Sequence, residues 1–236
     1  LVAYIGMINR LIGDMKGMRG AYVVPLKALA SEKFEDLREI AGAVGLTVGL
    51  AISDRGSESN GVDDSDILVC TSEKLDSILR TRPGFLENLG VIVSDEFHLL
   101  NDYSRGPTLE VTISRIMHIR PEAQIIALSA TVGNSEDLAK WLGAKHVKSD
   151  WRPIPLHYGI MTDLDVNIHR IEGSNVNNLQ KSRTLPGMKN RRLQAALEDT
   201  VSVGGQLLVF VSSRASAAKE ARVLSDFMFN LAKDNS

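Results

Sequence analysis

At 236 residues with 44% hydrophobic content, the chain is long enough to bury a full core, as one large domain or one domain plus part of another. Its 27 Lys and Arg against 29 Asp and Glu leave a net charge of −2. That balance excludes a generally basic surface and confines any nucleic-acid contact to a local patch or groove. The single cysteine, Cys70, excludes an intrachain disulfide and fits a reducing, cytoplasmic setting, with a small buried hydrophobe as its ordinary role. No apolar run approaches the length of a membrane span, so no membrane partner is expected.

Leu1 to Leu11 reads as an apolar helix with neither an initiator Met nor a capping residue ahead of it. A signal peptide would need a basic start and a small-residue cleavage site, and neither is present. The expectation is a chain cut just inside a helix. Ala21 to Val24 follows as a short buried strand ending at Pro25. A helix over Lys27 to Val44 carries Leu29, Phe34, Leu37, Ile40 and Val44 on one stripe, loosened at its end by Gly42 and Gly45. Thr47 to Ile52 reads as the next strand, and Asp54 to Asp66 as a polar surface loop. Ile67 to Cys70 is another buried strand. Thr71 or Ser72 then caps a helix that turns Leu75, Ile78 and Leu79 inward.

Pro83-Gly84 punctuates, and the apolar run Val91-Ile92-Val93 ends abruptly in Ser94-Asp95-Glu96-Phe97-His98. After Gly106-Pro107 comes an amphipathic helix with Leu109, Ile113, Ile116 and Met117. Gln124 to Leu128 is a strand ending in Ser129-Ala130-Thr131, and Asn134 caps a helix that Gly143 stops. Repeated strand–helix units of this size predict an α/β fold with a parallel sheet covered by helices on both faces. The prolines of Asp150 to Pro155 mark a crossing between domains. Beyond it Leu156 to Met161 is compatible with a strand, and 162–189 shows no usable periodicity. A helix with Leu193, Leu197 and Val201 follows, then a strand over Gln206 to Val211 and a helix with Ala217, Ala221, Leu224 and Met228.

The chemistry concentrates on Asp95 and Glu96. Carboxylates at the carboxyl end of a buried parallel strand stand where open α/β sheets bind ligands. There Asp95 can hold a hydrated Mg²⁺ against phosphate oxygens, and Glu96 can orient and deprotonate an attacking water. Taken alone, the pair is better read as an Asp-capped turn with Glu96 in solvent. The neighbouring motifs reverse that preference.

Those motifs are Pro25-Leu26-Lys27-Ala28-Leu29-Ala30, Thr71-Ser72-Glu73-Lys74, Asp95-Glu96-Phe97-His98, Arg105-Gly106-Pro107-Thr108-Leu109-Glu110, Ser129-Ala130-Thr131 and Phe210-Val211-Ser212-Ser213-Arg214. In this order they resemble the superkiller-like branch of the superfamily 2 DExH-box helicases, and most of all the archaeal DNA helicases that act at stalled forks. The resemblance runs from the first residue to about Trp151 and resumes near Gly205. It implies a RecA-like motor domain over residues 1–150, then a linker and an incomplete second RecA-like domain over 151–236. It implies ATP and Mg²⁺ as cofactors, single-stranded or forked DNA as partner (RNA remaining open), 3′-to-5′ polarity and a role in DNA repair.

By the same resemblance, Asp95 binds the metal and Glu96 activates water, while His98 couples nucleotide state to Ser129 and Thr131. Without that context His98 is a satisfied polar residue in a short helix, and Ser129 and Thr131 are turn formers. Lys27, Thr71, Lys74, Arg105, Gly106 and Arg214 resemble strand-contacting positions, where Gly106 would let the nucleic acid approach closely. Lys74 reads equally as a solvated helix residue. Lys181, Arg183, Lys189, Arg191 and Arg192 match no family motif and read as a solvated helix entry.

The departures are specific. The chain holds no G-x-x-x-x-G-K-S/T phosphate loop, lacks the arginine-bearing late motifs, and has Thr71-Ser72 where the family more often has Thr-Pro. Without a phosphate loop and an arginine finger, the polypeptide alone is expected to hydrolyse ATP negligibly. A non-hydrolysing nucleic-acid scaffold and a superkiller-type RNA helicase are the competing readings.

Overall fold

Apolar strands alternate with amphipathic helices through the first part of the chain, and the two periodicities decide which faces meet. The computed structural model describes residues 1–52, 59–60, 64–130, 133–149, 151, 153–154, 156–172 and 175–234. They fall into two compact units, Leu1–Val147 and Lys148–Ser236.

In the first unit the strands are β1 (Arg19–Val24), β2 (Val48–Ala51), β3 (Ser59–Asn60), β4 (Ile67–Thr71), β5 (Leu89–Ser94) and β6 (Gln124–Ala127). The helices are α1 (Val2–Ile12), α2 (Lys27–Gly42), α3 (Ser72–Thr81), α4 (Pro83–Glu87), α5 (Gly106–Ile119) and α6 (Ser135–Trp141), with a 3-10 helix at Phe97–Asn101. The sheet order is β3-β2-β4-β1-β5-β6, parallel except for the short β3. β6 ends the sheet on its side and pairs only with β5 among the described residues.

Side chains alternate across a strand, and here both faces are dry. Tyr22, Val24, Ile67, Val69, Val91 and Val93 pack on one side with Met7 and Leu11 of α1 and Leu37 and Ala41 of α2. Ala21, Val23, Leu68, Cys70 and Ile92 face the other way, toward Leu75 and Leu79 of α3 and Leu109 and Ile113 of α5. Cys70 behaves as a small hydrophobe there, and burial pushes its thiol up to about 12. β1 and β5 are therefore neighbours whose following helices leave to opposite faces. Strand ends from which helices diverge in this way are where α/β sheets take ligands.

Local details sharpen or depart from the sequence reading. Thr71, not Ser72, caps α3: its hydroxyl accepts from the Lys74 N–H at 3.4 Å. Asn134 precedes α6 without a side-chain capping bond, whereas Gly143, at φ +61, supplies the left-handed stop just beyond it. Pro83-Gly84 opens the short helix α4 instead of only breaking the chain, as Pro suits a first helical turn.

In the second unit, β7 (His157–Thr162), β8 (Asp165–Glu172) and β9 (Asn175–Thr184) form an antiparallel meander, followed by α7 (Arg192–Ser202) and α8 (Arg214–Asp234). Residues 162–189, without clear periodicity in sequence, thus hold most of a sheet. Leu164 and Leu185 meet Ala195 of α7 beneath it. The expected basic helix entry is instead partly structural. Lys181 and Arg183 lie on β9, Arg183 forks onto Asp199 of α7 at 3.0 and 2.5 Å, and Lys189 lies 3.6 Å from Asp163. The expected strand over Gln206 to Val211 does not form, and Leu208 and Phe210 are largely exposed. A strand is stabilised by pairing, and none of the described strands lies beside this one.

Candidate active site

β5 stops at Ser94, and the chain turns at once through Asp95 and Glu96 into the 3-10 helix. Glu96 takes the left-handed conformation, φ 50° and ψ 47°. For a residue with a Cβ this costs on the order of 1–3 kcal/mol and persists only where the surroundings over-determine it. They do so here. The Asp95 N–H donates to the Val23 carbonyl at 2.8 Å, Leu128 N–H to Ser94 at 2.9 Å, and Phe97 N–H to Leu128 at 2.7 Å. The ends of β1, β5 and β6 are thereby joined in one rim. Beneath it the buried Phe97 ring stacks on Trp141, 6.4 Å between centroids.

The Asp95 carboxylate is oriented at both oxygens. Oδ1 accepts the Glu96 N–H at 2.9 Å, and Oδ2 accepts the Tyr22 hydroxyl at 3.1 Å. Tyr22 lies edge-on to Tyr4 of α1, with centroids 5.3 Å apart, and the Tyr4 hydroxyl donates to Asp36 of α2 at 3.2 Å. Nothing in the sequence pattern flagged Tyr22, which reads as one more core residue of β1. Its partner lies 73 positions away.

Both phenols resist ionisation. Burial, opposed by Lys33 and reinforced by Asp36, raises Tyr4 to about 12 from its ordinary 10.0. Burial and then the Asp95 charge push Tyr22 up as well. A raised phenol keeps its proton in the folded chain after the unfolded chain has lost it. The associated stability is therefore complete below about pH 10 and is lost as pH climbs through the folded values. Urea midpoints between about pH 9 and 12 should fall, and fall less in Tyr4→Phe. Parallel curves for the two proteins would remove the assignment.

Of the residues expected to couple nucleotide state, only His98 and Ser129 are described. His98 places Nδ1 3.3 Å from Glu96 Oε2. It makes no hydrogen bond to Ser129 among the described residues. Ser129 is exposed just past Leu128, and Thr131 lies outside the described residues.

Of the residues expected to grip a strand, Lys27 is exposed at the first position of α2, and Lys74 is half-buried in the first turn of α3. These helices begin beyond β1 and β4, adjacent parallel strands, so both N-termini open on the same rim. Thr71 is 6% exposed and its hydroxyl accepts the α3 cap bond, which leaves its O–H proton as the group it can offer outward. Arg105 donates from one guanidinium nitrogen to the Pro25 carbonyl at 2.9 Å. Gly106 is buried, and a Cβ there would lie 2.3 Å from the Leu100 carbonyl oxygen. The chain's own packing therefore requires a glycine at this position. Arg214 is the exposed first residue of α8, with Ser213 Oγ accepting the Ser216 N–H at 3.1 Å.

No group of three metal-ligating side chains occurs among the described residues. Asp95 is half-exposed, and each of its oxygens accepts one hydrogen bond, leaving lone pairs free on both. That donor set suits a hydrated Mg²⁺ held through one carboxylate and shared with phosphate oxygens, not a cage of protein ligands. Nor is any helix among the described residues long and apolar enough to cross a membrane.

Comparison with known proteins agrees with this geometry. The chain is 38% identical over 234 residues to the ATP-dependent DNA helicase Hel308 of Caldivirga maquilingensis, covering 97% of this chain and 28% of that protein. It is 39% identical over 233 residues to the protein of the same name from Methanocella arvoryzae, covering 95% and 30%. The chain therefore spans less than a third of the length of these curated relatives. The solved structure of S. cerevisiae Dbp5 bound to RNA and ADP BeF3 superposes with a TM-score of 0.53 at 18% identity. It covers 62% of this chain and 38% of that one, and establishes the RecA-like fold. The DEAD/DEAH box helicase family model matches residues 1–138, which contain the whole acidic rim. The chain belongs to the DEAD/DEAH box helicase family.

Proposed function

We propose that residues 1–150 form most of the first motor domain, and residues 151–236 the linker and opening of a second RecA-like domain, of an ATP-dependent 3′-to-5′ DNA helicase. Its setting is the cytoplasm and its substrate single-stranded or forked DNA, in repair at stalled forks. The observation that carries this reading is the acidic turn: a strained Glu96 beside a pre-oriented Asp95, at the carboxyl ends of β1 and β5. Membership of a helicase family implies use of a nucleotide, and relatives bearing the name ATP-dependent DNA helicase favour ATP and DNA.

Magnesium bound with ATP supplies charge neutralisation across the phosphate oxygens. Asp95, fixed by Tyr22 and the Glu96 N–H, would hold that ion through its remaining lone pairs. Glu96 orients the attacking water and takes its proton. His98, at present against Glu96, exchanges toward Ser129 and Thr131 when the phosphate leaves. Lys27 and Lys74, at two helix N-termini on one rim, hold backbone phosphates without reading bases, and Arg214 adds a contact from the second domain.

Stimulation of ATP hydrolysis by single-stranded DNA and by RNA, measured in the intact helicase, tests this. DNA should stimulate and RNA of equal length should do so less. Equal stimulation would replace the DNA reading with an RNA helicase, and no hydrolysis with either would leave a nucleic-acid scaffold.

A further inference from the structure

The segment that leaves the acidic turn returns to touch the loop that begins α2. From Glu96 it runs through the 3-10 helix to Asp102, whose N–H donates to Leu99 at 2.9 Å. Asp102 Oδ1 then accepts the Ser104 N–H at 2.9 Å, the Ser104 hydroxyl at 2.6 Å and the Arg105 N–H at 3.0 Å. The Gly106 N–H closes on the Asp102 carbonyl at 2.8 Å, and the Leu100 carbonyl occupies the space that a Cβ on Gly106 would need. The Arg105 side chain is 33% exposed and lies between two partners: Asp102 Oδ2 at 4.0 Å and, 80 positions away, the Pro25 carbonyl at 2.9 Å. Pro25 stands ahead of the α2 cap, Leu26, so its carbonyl lies outside the helix ladder.

We propose that Arg105 is a positioning residue, a rigid strut between the acidic turn and the Pro25–Lys27 loop, and not itself a contact to the nucleic acid. The inference rests on the motor reading above. Its physical content is that every step from Glu96 to Pro25 is hydrogen-bonded and one step is locked by a glycine that tolerates no side chain. A shift of the turn during hydrolysis is therefore delivered to the loop that presents Lys27. One guanidinium nitrogen is committed to the Pro25 carbonyl and the other faces the Asp102 carboxylate, so the charge is already partnered within the protein.

The test compares Arg105→Ala, Arg105→Lys and Lys27→Ala in the intact helicase, reading the salt dependence of single-stranded DNA affinity and the factor by which DNA stimulates hydrolysis. Loss of one direct phosphate contact lowers the slope of log affinity against log salt by about 0.7. Lys27→Ala should show that loss. Arg105→Ala should keep the wild-type slope, while its stimulation factor drops about 2- to 30-fold, the range for a residue that carries coupling without touching a ligand. Arg105→Lys keeps the charge and loses the planar fork, so it should follow Arg105→Ala, and it guards against a variant that fails to fold. A slope lowered by about 0.7 in Arg105→Ala, or an unchanged stimulation factor in both variants, would overturn the strut. A wild-type protein that DNA does not stimulate at all would fail the motor reading instead, and with it the premise.

Discussion

Replacing Glu96 with Gln is expected to lower ATP hydrolysis by the intact helicase roughly 10²- to 10⁴-fold, the usual span for removing a general base. Single-stranded DNA should still bind. The substitution is nearly isosteric and retains a polar group for His98 Nδ1, now 3.3 Å from the carboxylate. It leaves the left-handed backbone under the same constraints, because the bonds holding it come from Val23, Ser94 and Leu128 and not from the Glu96 side chain. What disappears is the capacity to accept a proton from water. Steady-state turnover at saturating ATP and DNA, set beside a DNA-binding isotherm, separates the two. Hydrolysis within a few-fold of wild type would mean that Glu96 is not the base.

Phe97→Ala should cost about 3–5 kcal/mol of unfolding free energy, the range for truncating a fully buried aromatic. That is a large part of the 5–15 kcal/mol or so that holds a typical domain folded. Phe97 is 1% exposed, stacks on Trp141 and lies one residue beyond the strained Glu96. Its removal empties the space under the acidic turn as well as opening the core between β5, α5 and α6. Urea denaturation measures the loss, with Tyr103→Ala, at a fully exposed position six residues on, as a control expected within about 0.5 kcal/mol of wild type. A cost under about 1 kcal/mol for Phe97→Ala would show that the turn does not depend on what lies beneath it.

The sheet was legible because its strands are buried on both sides. Ala21 to Val24, Ile67 to Cys70 and Val91 to Val93 carry no charged residue, and each stands at 0–2% exposure. Continuous apolar runs of that length between amphipathic helices leave few other arrangements. The meander of β7, β8 and β9 was not legible for the opposite reason. Its strands are mostly exposed where described, and Asn, Lys and Arg fill positions that would otherwise alternate with apolar ones. The run from Gln206 to Val211 misled in the other direction, since apolar composition marks a segment that can pair but does not provide the strand to pair with.

The acidic pair was readable from its place after an apolar run. Its supports were not. Tyr22 reaches Asp95 across 73 positions, and Arg105 reaches Pro25 across 80, through contacts that only the folded sheet creates. Arg105 and Gly106, expected beside a nucleic acid, also have partners within the chain that the sequence does not reveal: the carbonyls of Pro25 and Leu100.

The outer margin of β6 carries one more implication. Its four residues bond to β5 on one side and, among the described residues, pair with no strand on the other, where the half-buried Ile125 and Ile126 flank the backbone. An unpaired margin of this kind is a template for an added strand, including the same margin of a second molecule. Work with this polypeptide in isolation therefore has to contend with intermolecular zippering as well as with folding.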